Sequence, residues 1–298
     1  MGAVRFVLVV LLCAVGLWVA LELILTTISF ILAAILGREE PARRGPRNPG
    51  RAIVGFLAEC GAAAVTHFLV TVTEPVAPRK KTVALKIRST PILLVPGYFS
   101  NRACFFVLAK LLRGLGASHI YTIDPKPMTA DIRDLAQQLA EKVDDILGAT
   151  GVPRINLVGH SMGGLIARYY IERLDGASKV NVCVTIGSPH HGSLLSRLGL
   201  GTNAQQMRPG SELLADLNRF EHISREIRLV SIWSTFDNMS VPRTTSILGG
   251  DATNISVDYI GHLSLLYSPR VARLVWQNLH ARPCRHRQRP SCRTTTGL

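Results

Sequence analysis

Two long apolar stretches come first in this chain, and a shorter, alternating rhythm follows them. Residues 4–36 are apolar apart from Arg5, Glu22 and a few Thr, Ser and Gly. About 20 such residues cross a bilayer as a helix, whereas the apolar region of a cleaved secretory signal usually has only about 7–15. The run therefore predicts a retained transmembrane anchor over residues 1–37, with an unusual, removed signal as the alternative. Glu22 is costly in lipid unless it is paired, and it fits a helix–helix contact, a membrane kink or a helix shifted to bring it near an interface. A second apolar stretch, 52–72, holds Glu59 and His67 among small residues. It fits equally a second span and an amphipathic helix lying on the membrane or against the domain.

From residue 89 the pattern changes to short apolar runs separated by stretches with three-and-four spacing. Residues 91–96, 119–123, 155–159, 180–186, 227–233 and 255–260 read as strands, and 104–112, 129–147, 163–174 and 269–279 as helices. Strands alternating with helices predict an α/β domain built on a mainly parallel sheet flanked by helices, here over residues 89–280. Residues 192–226, rich in leucine, form an insertion between two strands.

Composition changes this picture in one respect. The 298 residues are 47% hydrophobic and 18% charged, which excludes a disordered chain. The formal charge of +14, from 34 Lys+Arg against 20 Asp+Glu, invites a polyanion partner. Its location argues otherwise: net +3 falls in 38–51, −2 in 52–78, +5 in 79–88 and +5 in 281–298, but only +3 across the whole of 89–280. The body is near neutral and lacks an aromatic-and-basic platform, so no nucleic-acid partner is expected. The basic residues belong to a linker, 38–88, that contains the second apolar stretch, and to a tail, 281–298, that has nothing to bury and reads as disordered. Anionic lipid is their nearest partner. Positive charge on both sides of the second stretch assigns no orientation. The cysteines show no metal spacing, and neither metal nor cofactor is expected; Cys284 and Cys292 fit a tail disulfide only in an oxidising compartment.

Gly159-His160-Ser161-Met162-Gly163 supplies the chemistry. G-x-S-x-G directly after a strand and before a helix places a serine on a sharp turn at the carboxyl end of the sheet. Ser161 reads as a nucleophile, with the amide of Met162 as one oxyanion donor. A serine nucleophile needs a base and an acid, arranged in this fold in the order Ser, acid, His. His262 follows the 255–260 run and precedes the last helix; His222, His280 and His286 are less well placed. Asp237 directly follows the 227–233 run, while Asp251 lies in a turn and Asp258 inside a predicted strand. Tyr98, after Pro96-Gly97, offers the second oxyanion amide.

These blocks, with 185–193 and 207–214, resemble the α/β-hydrolase superfamily, and within it bacterial-type, triacylglycerol-lipase-like lipases and esterases. The resemblance covers about residues 90–280 and implies a carboxylic-ester hydrolase acting through an acyl-enzyme. Pro96 departs from it, since the family usually has His before the oxyanion glycine. The resemblance implies that 192–226 is a small helical lid; its leucines suit an apolar, lipid-like ester but also any packed helical insertion, and His190 and His191 fit hydrogen-bonding support of the site better than substrate contact. The reading is an enzyme anchored in the cell (inner) membrane. An acyltransferase using the same triad and a non-catalytic membrane-tethered binding protein of the same fold are the alternatives.

Overall fold

A computed structural model describes residues 2–37, 48–73, 87, 89–219 and 227–281. The expectations for the basic linker segments, for the tail with Cys284 and Cys292, and for His222 and His286 fall outside these residues. The two apolar stretches form helices α1 (Gly2–Leu36) and α2 (Pro49–Thr73). At about 1.5 Å per residue they run roughly 52 and 37 Å, each long enough to cross a bilayer. Glu22 of α1 is buried and meets His67 Nδ1 of α2 at 2.9 Å, so of its three readings the helix–helix contact is the one observed. Trp18 Nε1 also donates to the Ala64 carbonyl, and Phe30 meets Phe56 edge-on at 5.5 Å.

The remainder is built on six strands: β1 (Ile92–Val95), β2 (Ile120–Thr122), β3 (Ile155–His160), β4 (Val180–Ile186), β5 (Arg228–Ser234) and β6 (Thr253–Val257). They form one parallel sheet in the order β2-β1-β3-β4-β5-β6. Successive side chains alternate between its faces. Leu93, Val95 and Leu157 pack with α4 (Ile132–Thr150) and α5 (Met162–Arg173), while Ile92, Leu94 and Val158 pack with α3 (Phe106–Gly114) and α8 (Pro269–His280). Burial on both faces explains why these strands are continuously apolar rather than alternating.

Local signals set the helix ends. Asp131 accepts the Arg133 amide at 2.7 Å to start α4, and Gly151, at φ 73°, ends it. Ser268 caps α8 with Pro269 in its first turn. The 192–226 insertion is helical over much of its described part: a 3₁₀ turn over Leu194–Leu198, then α6 (Thr202–Gln206) and α7 (Glu212–Arg219). Its leucines divide, with Leu213, Leu214 and Leu217 in the core and Leu198 and Leu200 about 70% exposed. One strand differs from expectation. β6 occupies Thr253–Val257 rather than 255–260, because Tyr259 turns to φ 60°, a left-handed conformation that a strand cannot contain. Asp258 consequently lies past the strand, where it accepts the Thr235 hydroxyl at 2.7 Å.

The second apolar helix lies against this domain. Gly55 approaches the Tyr259 carbonyl, Thr66 Oγ1 meets the Tyr267 hydroxyl at 2.8 Å, and the Val70 carbonyl accepts Asn101 Nδ2 at 3.0 Å. Helix α1 reaches the same face through Phe30, whose ring lies 4.9 Å from that of Phe236.

Leu165, in the first turn of α5, is fully buried in the core that packs on the α4 and α5 face of the sheet. Leu165→Ala is expected to lower unfolding stability by about 2–5 kcal/mol through lost burial and a residual cavity. Chemical denaturation of the full chain in detergent micelles checks this.

Candidate active site

β3 ends at His160 and α5 begins at Met162, so Ser161 alone makes the turn between them. It does so at φ 54° and ψ −126°, a conformation sparsely populated for any residue with a β-carbon. The strain is held by neighbouring contacts: the Ser161 amide donates to the Ile186 carbonyl at 2.9 Å, and its carbonyl accepts the Gly164 amide at 3.0 Å. Two glycines permit this packing. A β-carbon on Gly163 would collide with the Val95 carbonyl, and one on Gly97 would lie 2.9 Å from Ser161 Cβ and 3.1 Å from the His160 carbonyl oxygen. The loop after β1 is thereby brought directly against the serine turn.

His262 and Asp237 come to the same sheet end from the loops after β6 and β5. Both are buried, and His262 Nδ1 lies 2.9 and 3.1 Å from the two Asp237 oxygens. A proton on Nδ1 that faces a carboxylate leaves Nε2 as the unprotonated nitrogen of the neutral ring. Asp237 Oδ1 also accepts the amides of Met239 and Ser240, each at 2.8 Å. Burial works against ionisation of both groups. For His262 the facing Asp237 charge and hydrogen bond outweigh it and raise the imidazole above its ordinary value of 6.5. For Asp237 the His262 partnership and the two amides outweigh it and hold the carboxyl below the usual carboxylate range.

The backbone of His262 is fixed at both ends. Its amide donates to Asn238 Oδ1 at 3.0 Å, and its carbonyl lies 3.2 Å from His160 Nε2. Burial, with the charge of nearby His262 acting in the same direction, holds His160 at about 3, so it is a neutral ring that donates through Nε2. Asn238 in turn donates through Nδ2 to Ser29 of α1 at 2.7 Å. Sequence reasoning missed Asn238, His160 and Ser29 as parts of this arrangement. Asn238 beside Asp237 and His160 inside the serine motif carried a faint positional signal, but Ser29 carried none.

The remaining expected residues are placed as follows. Met162 opens α5, where the first amides lack intrahelical acceptors. Tyr98 sits in the loop against Ser161, and its hydroxyl exchanges hydrogen bonds with the Leu200 carbonyl and amide at 2.7 and 2.6 Å, tying this loop to the lid. His190 is buried against Thr185 Oγ1 at 3.0 Å, and burial beside the Arg168 guanidinium keeps it neutral. His191 Nε2 lies 3.0 Å from the Ile247 carbonyl, so both histidines support loops. His280 stacks on Trp276 at the end of α8, and Asp251 lies in a turn before β6. Among the described residues no group of three or more His, Cys, Asp or Glu is arranged to hold a metal ion.

Comparison with known proteins agrees with this architecture. Triacylglycerol lipases of Pseudarthrobacter phenanthrenivorans and Burkholderia plantarii are each 44% identical to the chain over 57 residues, 19% of its length. That match spans 17% and 15% of those proteins, about a sixth of their length. Aspergillus fumigatus lipase B superposes with a TM-score of 0.59 at 17% identity, over 65% of this chain and 53% of its own. Bacillus licheniformis lipase BlEst2 in its mature form gives 0.57 at 17% identity, over 66% and 94%. At such identity these structures share the fold with this chain. The family model described as the alpha/beta hydrolase fold matches residues 90–251, more than half of the sequence, and the chain belongs to that family.

Proposed function

We propose that this chain is a membrane-anchored serine carboxylic-ester hydrolase of lipase or esterase type. The observation that carries the reading is the strained Ser161 turn on the same sheet end as the buried His262–Asp237 pair. Ser161 Oγ attacks the ester carbonyl while His262 Nε2 takes its proton, and Asp237 holds the ring in the required tautomer and stabilises the imidazolium. The Met162 amide, with that of Tyr98, stabilises the oxyanion. His262 returns the proton to the leaving alcohol, and water then repeats the sequence on the acyl-enzyme to release the acid.

An apolar acyl group is favoured by the surroundings. Phe99, Leu198, Leu200 and Met239 are exposed on the oxyanion loop, the lid and the acid loop. The outer faces of α1 and α2 are likewise apolar and exposed, including Leu17, Ile24, Ile31, Ile53, Val54 and Leu57. These faces support anchoring in the cell membrane with the lid side near lipid, and substrates partitioned there, such as the esters implied by the triacylglycerol lipase relatives. Residues 1–37 serve as the anchor, 38–88 as a basic linker carrying the docked helix and 281–298 as a basic tail beside the hydrolase body.

The test uses purified full-length chain in detergent micelles with p-nitrophenyl esters of short and long acyl chains and a fluorophosphonate probe. Wild type is expected to hydrolyse, with preference for the longer chains, and to be labelled; Ser161→Ala loses labelling and at least about 10³-fold in rate. Equal background rates in both chains, with no labelling, would reject the reading.

Protonated His262 cannot accept the serine proton, so kcat/KM should rise with pH through its titration, which Asp237 places above pH 6.5. Asp237→Asn is expected to lower kcat by about 10⁴-fold through loss of the tautomer and to move the remaining acid limb to lower pH. Steady-state kinetics across pH measures both effects.

A further inference from the structure

Glu59 lies in the middle of α2, whose sequence is mostly apolar, yet its side chain points into the hydrolase body, where it is 1% exposed. Its Oε1 accepts the Leu263 amide at 2.9 Å and its Oε2 accepts the Ser264 amide at 2.8 Å. Burial raises the Glu59 carboxyl above its ordinary value, while the two amides and the facing His262 charge act against that and favour the carboxylate. The two amides are the first after His262, and they open the 3₁₀ turn over Ser264–Tyr267, where no acceptor within the turn is available. On the other side of His262, Gly261 is bare: a β-carbon there would overlap the Glu59 carboxylate and lie 2.5 Å from its Cδ. Both flanks of the histidine are therefore shaped to this one side chain. A carboxylate buried here costs more than an apolar residue of similar size unless its contacts do something that packing cannot.

We propose that Glu59 is a positioning residue for His262, supplied to the active site by the second apolar helix rather than by the hydrolase body. The inference rests on the serine-hydrolase reading above. It completes the enclosure of the His262 loop, since Asn238 holds the amide, His160 the carbonyl, Asp237 the ring, and Glu59 the two residues that follow. The titratable groups facing His262 are then Asp237 from the β5 loop, His160 from β3 and Glu59 from α2. The Glu59 charge acts with that of Asp237 to favour the imidazolium that forms as Ser161 is deprotonated. Docking of α2 thus becomes a condition for full activity.

The test compares full-length wild type, Glu59→Gln and Thr66→Val in the same detergent. Thr66→Val removes the same helix's bond to the Tyr267 side chain and leaves the Glu59 bonds to the Leu263 and Ser264 amides in place, so it reports docking alone. Glu59→Gln is expected to lower kcat about 10- to 100-fold, with KM within about twofold, since a small misplacement of a catalytic group carries a penalty of that order. Removing a negative charge destabilises the imidazolium, so the acid limb of kcat/KM should also move to lower pH, by about half a unit. Thr66→Val should keep the wild-type limb. A folded Glu59→Gln chain with wild-type kcat and an unmoved limb overturns the proposal, as does an equal shift in Thr66→Val. Should the glutamine chain not fold, Glu59→Asp retains the charge at shorter reach: reduced kcat with the wild-type limb supports the proposal, and wild-type kcat overturns it. If wild type itself neither hydrolyses esters nor takes the fluorophosphonate, the hydrolase reading fails and the positioning role falls with it. Failure confined to the Glu59 variants removes only the latter.

Discussion

The hydrogen bond between His262 and Asp237 joins the loops that leave the paired strands β6 and β5, and much of the architecture around the sheet end serves to hold it. Each partner alone would be an expensive buried group: a carboxylate taken out of water, and an imidazole whose charged form burial disfavours. Together they satisfy one another, and the amides of Met239 and Ser240 take up the remaining capacity of Asp237. Such an arrangement tolerates little looseness, because a half-satisfied buried polar network is worse than an apolar core. That explains why side chains bind the His262 amide and carbonyl and the Leu263 and Ser264 amides rather than leaving them to solvent.

Those bonds draw on distant parts of the chain. His160 comes from the central strand, Asn238 from the acid loop, Ser29 from the first apolar helix and Glu59 from the second. A parallel sheet delivers Ser161, Asp237 and His262 to one end because the loops after its strands share that end. The sheet does not by itself set the orientation of those loops to within a fraction of an ångström. Here the two apolar helices take part in that task, so segments with the composition of a membrane anchor also act as structural walls of the candidate site. Their inner faces carry the buried Glu22, Glu59 and Thr66, the first paired with exposed His67, while their outer faces are mostly apolar.

The parts visible in the sequence were those governed by neighbours along the chain. Strand and helix positions followed from burial on both sheet faces, with a misplacement at β6, where the left-handed turn at Tyr259 had no glycine to announce it. The Ser161 turn was legible because Gly159 and Gly163 are local requirements of a strand–turn–helix. Asp237 and His262 were legible through their places after apolar runs, and the structure brings them within hydrogen-bond distance. Glu59 was seen only as an interruption of an apolar segment, equally compatible with a second span. Its partners are about two hundred residues away, and sequence spacing holds no information on contacts of that kind.

The sequence by itself thus determined the fold class, the Ser161 turn, and the location of the charge outside the near-neutral body, because hydrophobic period, turn sterics and local composition are short-range properties. Only the tertiary structure decided that α2 lies against the hydrolase domain, that Glu22 pairs with His67, and that the His262 loop is held by a carboxylate from outside the sheet. The physical reason is common to all three. A buried polar group must find a partner somewhere, but which partner depends on the packing of surfaces remote in sequence.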